Sequence, residues 1–211
     1  MTFYKHSSIN FPLIKKVPNV IGAGDGQVLK DAKEELTVEA LELFRSLNVE
    51  PSCLFYFCRG DKVSSHDKRV LHSDLTRIDP LPWKENDDPT KKVWKNIICG
   101  INWEITGSIT EFTFWDTEKL EKFFPVRQGL DLKYDYLNSI HYIKRGNFGV
   151  PDQAVKLDQI NISSKPVLIR TEIPHITTYS GPNIRIGASL RFKETWDTWD
   201  QALEIFAPIL E

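Results

Sequence analysis

The stretch HITTYSGPNIRIGASLRF, residues 175–192, decides the fold that the sequence predicts. HITTY (175–179) favours a strand, and SGPN (180–183) is typical of a turn because glycine, proline and asparagine each favour one. The residues after the turn alternate in polarity, as in a strand with one buried face. One face carries Arg185, Gly187, Ser189 and Arg191, and the other carries Ile184, Ile186, Ala188 and Leu190. We expect the apolar face to pack beneath a helix and the polar face to line a cavity.

Further strands are predicted on both sides along the chain. They are CLFYFC (53–58), VLHSDLTR (70–77), two strands within 93–116 that meet near Gly107-Ser108, short pieces near 140–143 and 159–162, and PVLIRTEI (166–173). Amphipathic helices are predicted over 28–47 and 196–210, a short helix or turn over 117–126, and an exposed loop over 76–92. The pattern indicates one mainly β domain over residues 1–211, a double-sheet sandwich or jelly roll with an N-terminal helical region and a C-terminal helix.

The composition limits the classes of function. The chain has 211 residues with 41% hydrophobic and 27% charged residues, as in a globular protein, and a net charge of −2, which argues against broad nucleic-acid binding. Three cysteines without a CxxC pair argue against a disulfide framework and a thiolate zinc site. No secretory signal is recognisable, and the longest apolar run has six residues, too few to span a membrane. We therefore expect a cytoplasmic protein with no membrane partner.

Two histidines and an aspartate form a candidate metal site. His72 and Asp74 are two residues apart on a predicted strand, so their side chains point to the same face. His175 supplies a second imidazole. Two histidines and one carboxylate occupy one face of an octahedral ion, and this arrangement is typical of non-haem Fe(II) oxygenases because it leaves positions open. In the alternative interpretation, His72 and Asp74 are a hydrogen-bonded pair at a strand end and His175 is a core histidine bonded to a backbone carbonyl.

A basic residue follows at a fixed distance. Arg185 lies ten residues after His175 and offers a planar fork for a carboxylate, although Arg191 is a rival on the same face. His141 is interpreted as structural, with a spare metal ligand as the alternative.

Together, HxD at 72–74, His175 and Arg185 resemble the motif of the Fe(II)/2-oxoglutarate-dependent oxygenases, and SSKPVLIRTEIPH resembles the strand that leads into the family's distal histidine. The resemblance covers roughly residues 50–192. It implies a double-stranded β-helix, the cupin-like form of the jelly roll, in which His72, Asp74 and His175 hold Fe(II). It also implies that Arg185 binds the distal carboxylate of 2-oxoglutarate, which is decarboxylated to succinate during substrate hydroxylation.

The resemblance also concerns residues outside the motif. Asn102 and Thr113, on the polar faces of the central strands, are expected to contact the keto acid. The chain departs from the family pattern in having Gly187 where a serine is frequent, and Lys165-Pro166 where a glycine is frequent.

The sequence thus predicts an oxygenase that hydroxylates a small molecule or a protein side chain. Two alternatives stay open: a cupin-like metalloprotein without keto-acid chemistry, and a non-catalytic β-sandwich for binding or assembly. The non-catalytic β-sandwich requires His72 and His175 to lie far apart. Neither the substrate nor the oligomeric state is indicated.

Overall fold

The structure, a computed structural model, describes residues 2–18, 26–59, 70–77, 94–106, 109–127, 137–144, 149–180 and 185–211. Thirteen strands lie in this part of the chain. They are β1 (Tyr4–His6), β2 (Gly26–Asp31), β3 (Pro51–Arg59), β4 (His72–Arg77), β5 (Trp94–Asn96), β6 (Cys99–Glu104), β7 (Ile109–Asp116), β8 (Phe123–Arg127), β9 (Leu137–His141), β10 (Val155–Ile162), β11 (Val167–Arg170), β12 (His175–Ser180) and β13 (Arg185–Phe192). The helices are α1 (Ala32–Glu35), α2 (Val38–Ser46) and α3 (Trp199–Phe206), and a 3₁₀ turn (Ala207–Ile209) follows α3.

The first sheet has the strand order β1-β11-β6-β13-β3-β2, with all pairs antiparallel. The apolar face of β13 packs against the helices, as predicted, because Ile186, Ala188 and Leu190 join one core cluster with Phe44 of α2 and Phe206 of α3. Burial of this face beneath α2 and α3 turns the polar face of β13 toward the second sheet.

The predicted helix over 28–47 is wrong for its first four residues. Residues 26–31 form β2, which pairs with β3 along its whole length. A bridge between Leu36 and Ile14 then separates α1 from α2, and the Thr37 hydroxyl caps α2 by accepting from the Ala40 amide at 3.2 Å. Cross-strand pairing with β3 therefore overrides the local helical pattern.

The second sheet has the order β10-β7-β12-β4-β9-β8, and β5 pairs with β4. Residues 123–127 form the edge strand β8 in place of the predicted helix or turn, because they pair with β9. The strands β9 and β10 extend the two short pieces expected near 140–143 and 159–162. Most of the predicted loop over 76–92 and the turns at 107–108 and 180–183 lie outside the described residues.

The two sheets face each other, and the interior between them has an apolar side and a polar side, each lined by residues of both sheets. The apolar side consists of Phe3, Phe112, Phe114, Ile160, Ile162, Val167 and Ile169, drawn from both sheets. On the polar side, Arg191 of β13 reaches Asp74 of β4, and Thr110 of β7 reaches Glu104 of β6. The candidate site lies on this polar side. In the described part of the chain, no helix has the length and apolar character needed to cross a membrane.

Candidate metal centre

The strand pairing brings the three expected ligands together. His175 of β12 is directly opposite His72 of β4, and Asp74 follows two residues later on the same face. The ring centroids of the two histidines are 4.5 Å apart. One potential ligand atom from each of the three side chains lies within 4.8 Å of the other two. Residues separated by 103 positions along the chain, 175 minus 72, therefore converge on one point.

The spacing of the ligand atoms suits a single cation. The Nε2 of His72 and the Oδ1 of Asp74 are 3.7 Å apart. Two atoms bound at roughly 2.0–2.2 Å on one face of an octahedral ion are about 3 Å apart, so the three side chains must move closer together when they share one ion. Asp74 and His175 are each 3% exposed, whereas 28% of the His72 side chain is exposed. Solvent can therefore reach the cluster beside His72, whereas Asp74 and His175 are closed off from it.

Both histidines carry the tautomer that a metal requires. The Nδ1 of His72 lies 2.8 Å from the Val70 carbonyl oxygen, and the Nδ1 of His175 lies 2.8 Å from the Ile173 carbonyl oxygen. A carbonyl oxygen only accepts, so each Nδ1 carries the proton and donates it. Each Nε2 is left with its lone pair, and metal-binding histidines are held by the same kind of outer hydrogen bond.

Burial keeps His175 neutral. The ring stacks on Phe112, with centroids 4.6 Å apart and planes 23° apart. Burial, followed by the nearby His72, lowers the pKa of His175 to about 3. A metal that binds at neutral pH therefore displaces no proton from this imidazole.

Asp74 is oriented by an arginine that the sequence indicated only as a rival. The Nη2 of Arg191 donates to the Oδ2 of Asp74 at 2.5 Å, and both residues are buried. The other carboxylate oxygen, Oδ1, faces His72. Arg191 also donates to the Ser189 hydroxyl, which in turn donates to the Oδ1 of Asn102. A buried chain of hydrogen bonds thus fixes one oxygen of Asp74 and presents the other to the candidate metal position.

Arg185 has a partner within the chain. Its Nε and Nη2 donate to the Oε1 of Glu104 at 3.1 and 2.9 Å. The Thr110 hydroxyl donates to the same oxygen. Arg185 is 7% exposed and Glu104 only 2% exposed, so the ion pair is buried between the sheets.

The other two predicted keto-acid contacts have different positions. Asn102 lies on the inward face of β6 and is bonded to Ser189, within the hydrogen-bond chain that ends at Asp74. Thr113 is buried, but it neighbours Phe114, the residue of β7 that pairs with His175, and so points to the opposite face of the sheet. Its hydroxyl bonds to Glu111 on that face. The structure thus brings Asn102 toward the centre and leaves Thr113 behind the sheet.

His141 flanks the centre on its reachable side. It pairs with His72 across β9 and β4, and the two ring centroids are 6.2 Å apart. Its Nε2 lies 3.0 Å from the Ser139 hydroxyl. Burial, followed by His72, lowers the pKa of His141 to about 4. A neutral imidazole therefore stands beside the ligand cluster without belonging to it.

Sequence reasoning missed Glu104 and gave Arg191 second place. The signal for both was present, because Glu104 alternates with apolar neighbours in INWEIT just as Arg191 does in its own strand. Alternation indicates a shared face but does not indicate which cross-strand residue completes an ion pair.

Comparison with known proteins adds no relative. No family model matches the chain, and a search of curated proteins finds no match.

Proposed function

We propose that the protein is an Fe(II)-dependent oxygenase that uses a 2-oxo acid as cosubstrate and hydroxylates a small molecule or a peptide side chain. The observation that carries this proposal is the convergence of His72, Asp74 and His175, with both Nε2 atoms and one carboxylate oxygen turned to a common point.

The donor set fits iron. Two imidazoles and one carboxylate on one face of an octahedral ion are the ligands of non-haem Fe(II) oxygenases, whereas a structural zinc site would have four protein ligands. The described residues offer three such ligands here. Three positions would be left, two for a chelating 2-oxo acid and one for dioxygen.

The strand order supports the finer fold. Eight strands remain when the edge strands β1 and β2 and the additions β5, β8 and β9 are set aside. Numbered 1 to 8 along the chain, they have the orders 6-3-8-1 and 5-4-7-2 in the two sheets. Successive strands alternate between the two sheets except strands 4 and 5, which pair within one sheet. This order is that of a jelly roll, and we propose the double-stranded β-helix on this basis.

Two arginines favour a keto acid at the metal. The Arg191 guanidinium lies beside Ser189, and the Arg185 guanidinium lies over Gly187, because a Cβ built on Gly187 would come within 2.7 Å of its Nη2. Both side chains thus run along β13 toward each other. Two residues of strand place the guanidinium groups roughly 7 Å apart, on the same face of β13. 2-Oxoglutarate is the acid that the resemblance implies. Its distal carboxylate does not fit beside Arg185 while Glu104 keeps its place.

The protein's own residues position and protect the metal. Bound Fe(II) with a 2-oxo acid would supply the oxidising chemistry, coupling dioxygen reduction and loss of carbon dioxide to oxygen insertion into a C–H bond. Arg191 fixes the carboxylate of Asp74, the two carbonyl bonds fix the imidazoles, and Phe112 covers one face of His175. The apolar side of the interior excludes water from that flank.

A specific observation favours a second candidate, the cupin-like metalloprotein without keto-acid chemistry. The cation of Arg185 is already paired with Glu104. In that case Arg185→Ala leaves activity unchanged. The non-catalytic sandwich has less support, because it required His72 and His175 to be distant and their rings are 4.5 Å apart.

An anaerobic titration tests the proposal. Iron-free protein receives Fe(II) and then either 2-oxoglutarate or 2-oxopentanoate, and the weak visible charge-transfer absorption of an iron-bound 2-oxo acid is recorded. We expect the band in the wild type and in His141→Ala, the neighbouring histidine, and no band in His72→Ala. Absence of the band with both acids, although one iron binds per chain, would refute the proposal.

A further inference from the structure

Arg185, to which the resemblance assigns the tail of the keto acid, is paired with Glu104 in the structure. Glu104 accepts from Arg185 twice and from Thr110 once, all through Oε1. Its charge lies between the sheets, where interactions between charges are stronger than in water. The cation of Arg185 is therefore already paired with a carboxylate of the chain.

The ion pair between Arg185 and Glu104 uses the space that the missing side chain of Gly187 leaves on β13. A Cβ at residue 187 would lie 2.7 Å from the Nη2 of Arg185 and 2.8 Å from the Oε1 of Glu104. Both distances are shorter than real Cβ contacts, so a side chain at this position would require the guanidinium or the carboxylate to shift. The glycine that departs from the expected serine is thus the residue that lets the guanidinium lie flat on β13 and meet Glu104.

The second carboxylate oxygen of Glu104 determines which kind of ligand group is favourable beside Arg185. Oε2 is buried and has no hydrogen-bond partner among the described residues. A ligand carboxylate that approaches Arg185 would place its charge next to this oxygen and share one cation with it. Like charges in such proximity are strongly unfavourable when they are desolvated. An uncharged tail meets no such repulsion and leaves the existing pair intact.

We infer that Glu104 makes the site select a 2-oxo acid with an uncharged tail over the dicarboxylic 2-oxoglutarate. The inference rests on the proposed function, since it concerns the cosubstrate of the same metal centre. Glu104 acts as a specificity-determining residue: it supplies from within the chain the carboxylate that Arg185 would otherwise take from the ligand.

The matched probes are 2-oxoglutarate and 2-oxopentanoate, which share a five-carbon chain and differ only in a terminal carboxylate or methyl group. Binding of each acid to the anaerobic Fe(II) protein is measured by the charge-transfer band and by calorimetry, neither of which requires turnover. We expect the wild type to bind 2-oxopentanoate about tenfold or more tightly than 2-oxoglutarate.

Glu104→Gln keeps the shape of the side chain and removes its charge. We expect this variant to reverse the order, with 2-oxoglutarate affinity raised about a hundredfold or more, because Arg185 becomes available to the ligand. Glu111→Gln is the control, since Glu111 is bonded to Thr113 on the other face of β7 and its loss should leave the wild-type order unchanged.

The outcomes are separable. Equal or tighter wild-type binding of 2-oxoglutarate overturns the inference and leaves the oxygenase proposal standing, and this comparison needs no variant. No band with either acid overturns the oxygenase proposal itself. Reversal of the order by Glu111→Gln as well would trace the preference to net charge, and would also overturn the role of Glu104.

Discussion

The two ends of the polar face of β13 hold the same kind of ion pair for different purposes. Arg191 and Arg185 are each 7% exposed, and each donates to a buried carboxylate, Asp74 of β4 in the facing sheet and Glu104 of the neighbouring strand β6. Asp74 uses one oxygen for Arg191 and turns the other to the histidines. Glu104 takes all its hydrogen bonds on one oxygen and leaves the other without a partner among the described residues. In our proposal, the first pair orients a metal ligand and the second closes a position for the cosubstrate.

Removal of the carboxylate from each pair should cost similar stability but have unequal effects on metal binding. In both Asp74→Ala and Glu104→Ala a buried arginine loses its partner, so we expect each to lower the free energy of unfolding by about 3–5 kcal/mol. Urea denaturation measures this loss. Only Asp74→Ala should abolish stoichiometric metal binding, measured by metal analysis of folded protein. Asp74→Asn provides a milder variant if the alanine protein does not fold. Loss of metal from Glu104→Ala as well would contradict the division of roles.

Removal of each arginine provides a second test of the difference between the two ion pairs. Arg191→Ala should weaken Fe(II) binding about 10–100-fold, because the group that orients a metal ligand is lost. Arg185→Ala is the matched control and should leave metal affinity unchanged, since its partner Glu104 is not among the three converging ligands. Competition with a fluorescent chelator gives both affinities. Equal weakening in the two variants would show that they act through the fold in general.

The smallest effect concerns pH. Burial lowers the pKa of His141 to about 4 and that of His175 to about 3, from 6.5. Between pH 6.5 and 4 the unfolded chain therefore binds more protons than the folded chain, so the unfolding free energy of the metal-free protein falls as pH is lowered through this window. His141→Gln removes one of the two groups and should give a shallower slope, measured by urea denaturation at several pH values. An unchanged slope would mean that His141 is not held neutral by the fold.

The polar faces show where sequence reasoning succeeded and where it failed. On β6 and β13 the polar face points toward the other sheet, so Asn102 and Arg185 lie in the interior with buried partners, Ser189 and Glu104. On β7 the interior takes Phe112 and Phe114, and the polar face with Thr113 points outward. Period-two alternation groups residues by face, but only the stacking of the sheets decides which face is inside.

The helical prediction failed for a similar reason. Residues 28–31 carry a pattern compatible with a helix, yet β3 offers an unpaired edge, and β2 satisfies its backbone groups. Residues 123–127 likewise pair with β9. Such pairings depend on the next strand along the chain and cannot be recognised from the local pattern.

The sequence by itself determined the alternating strands, the shared face of His72 and Asp74, and the set of side chains able to hold a metal, because these follow from local periodicity and side-chain chemistry. Only the tertiary structure decided which carboxylate each arginine meets. Arg185 is 81 positions from Glu104 and Arg191 is 117 from Asp74, so both pairs exist only through strand register and the packing of one sheet on the other. That packing pairs Arg191 with a carboxylate of the candidate metal centre and Arg185 with one outside it.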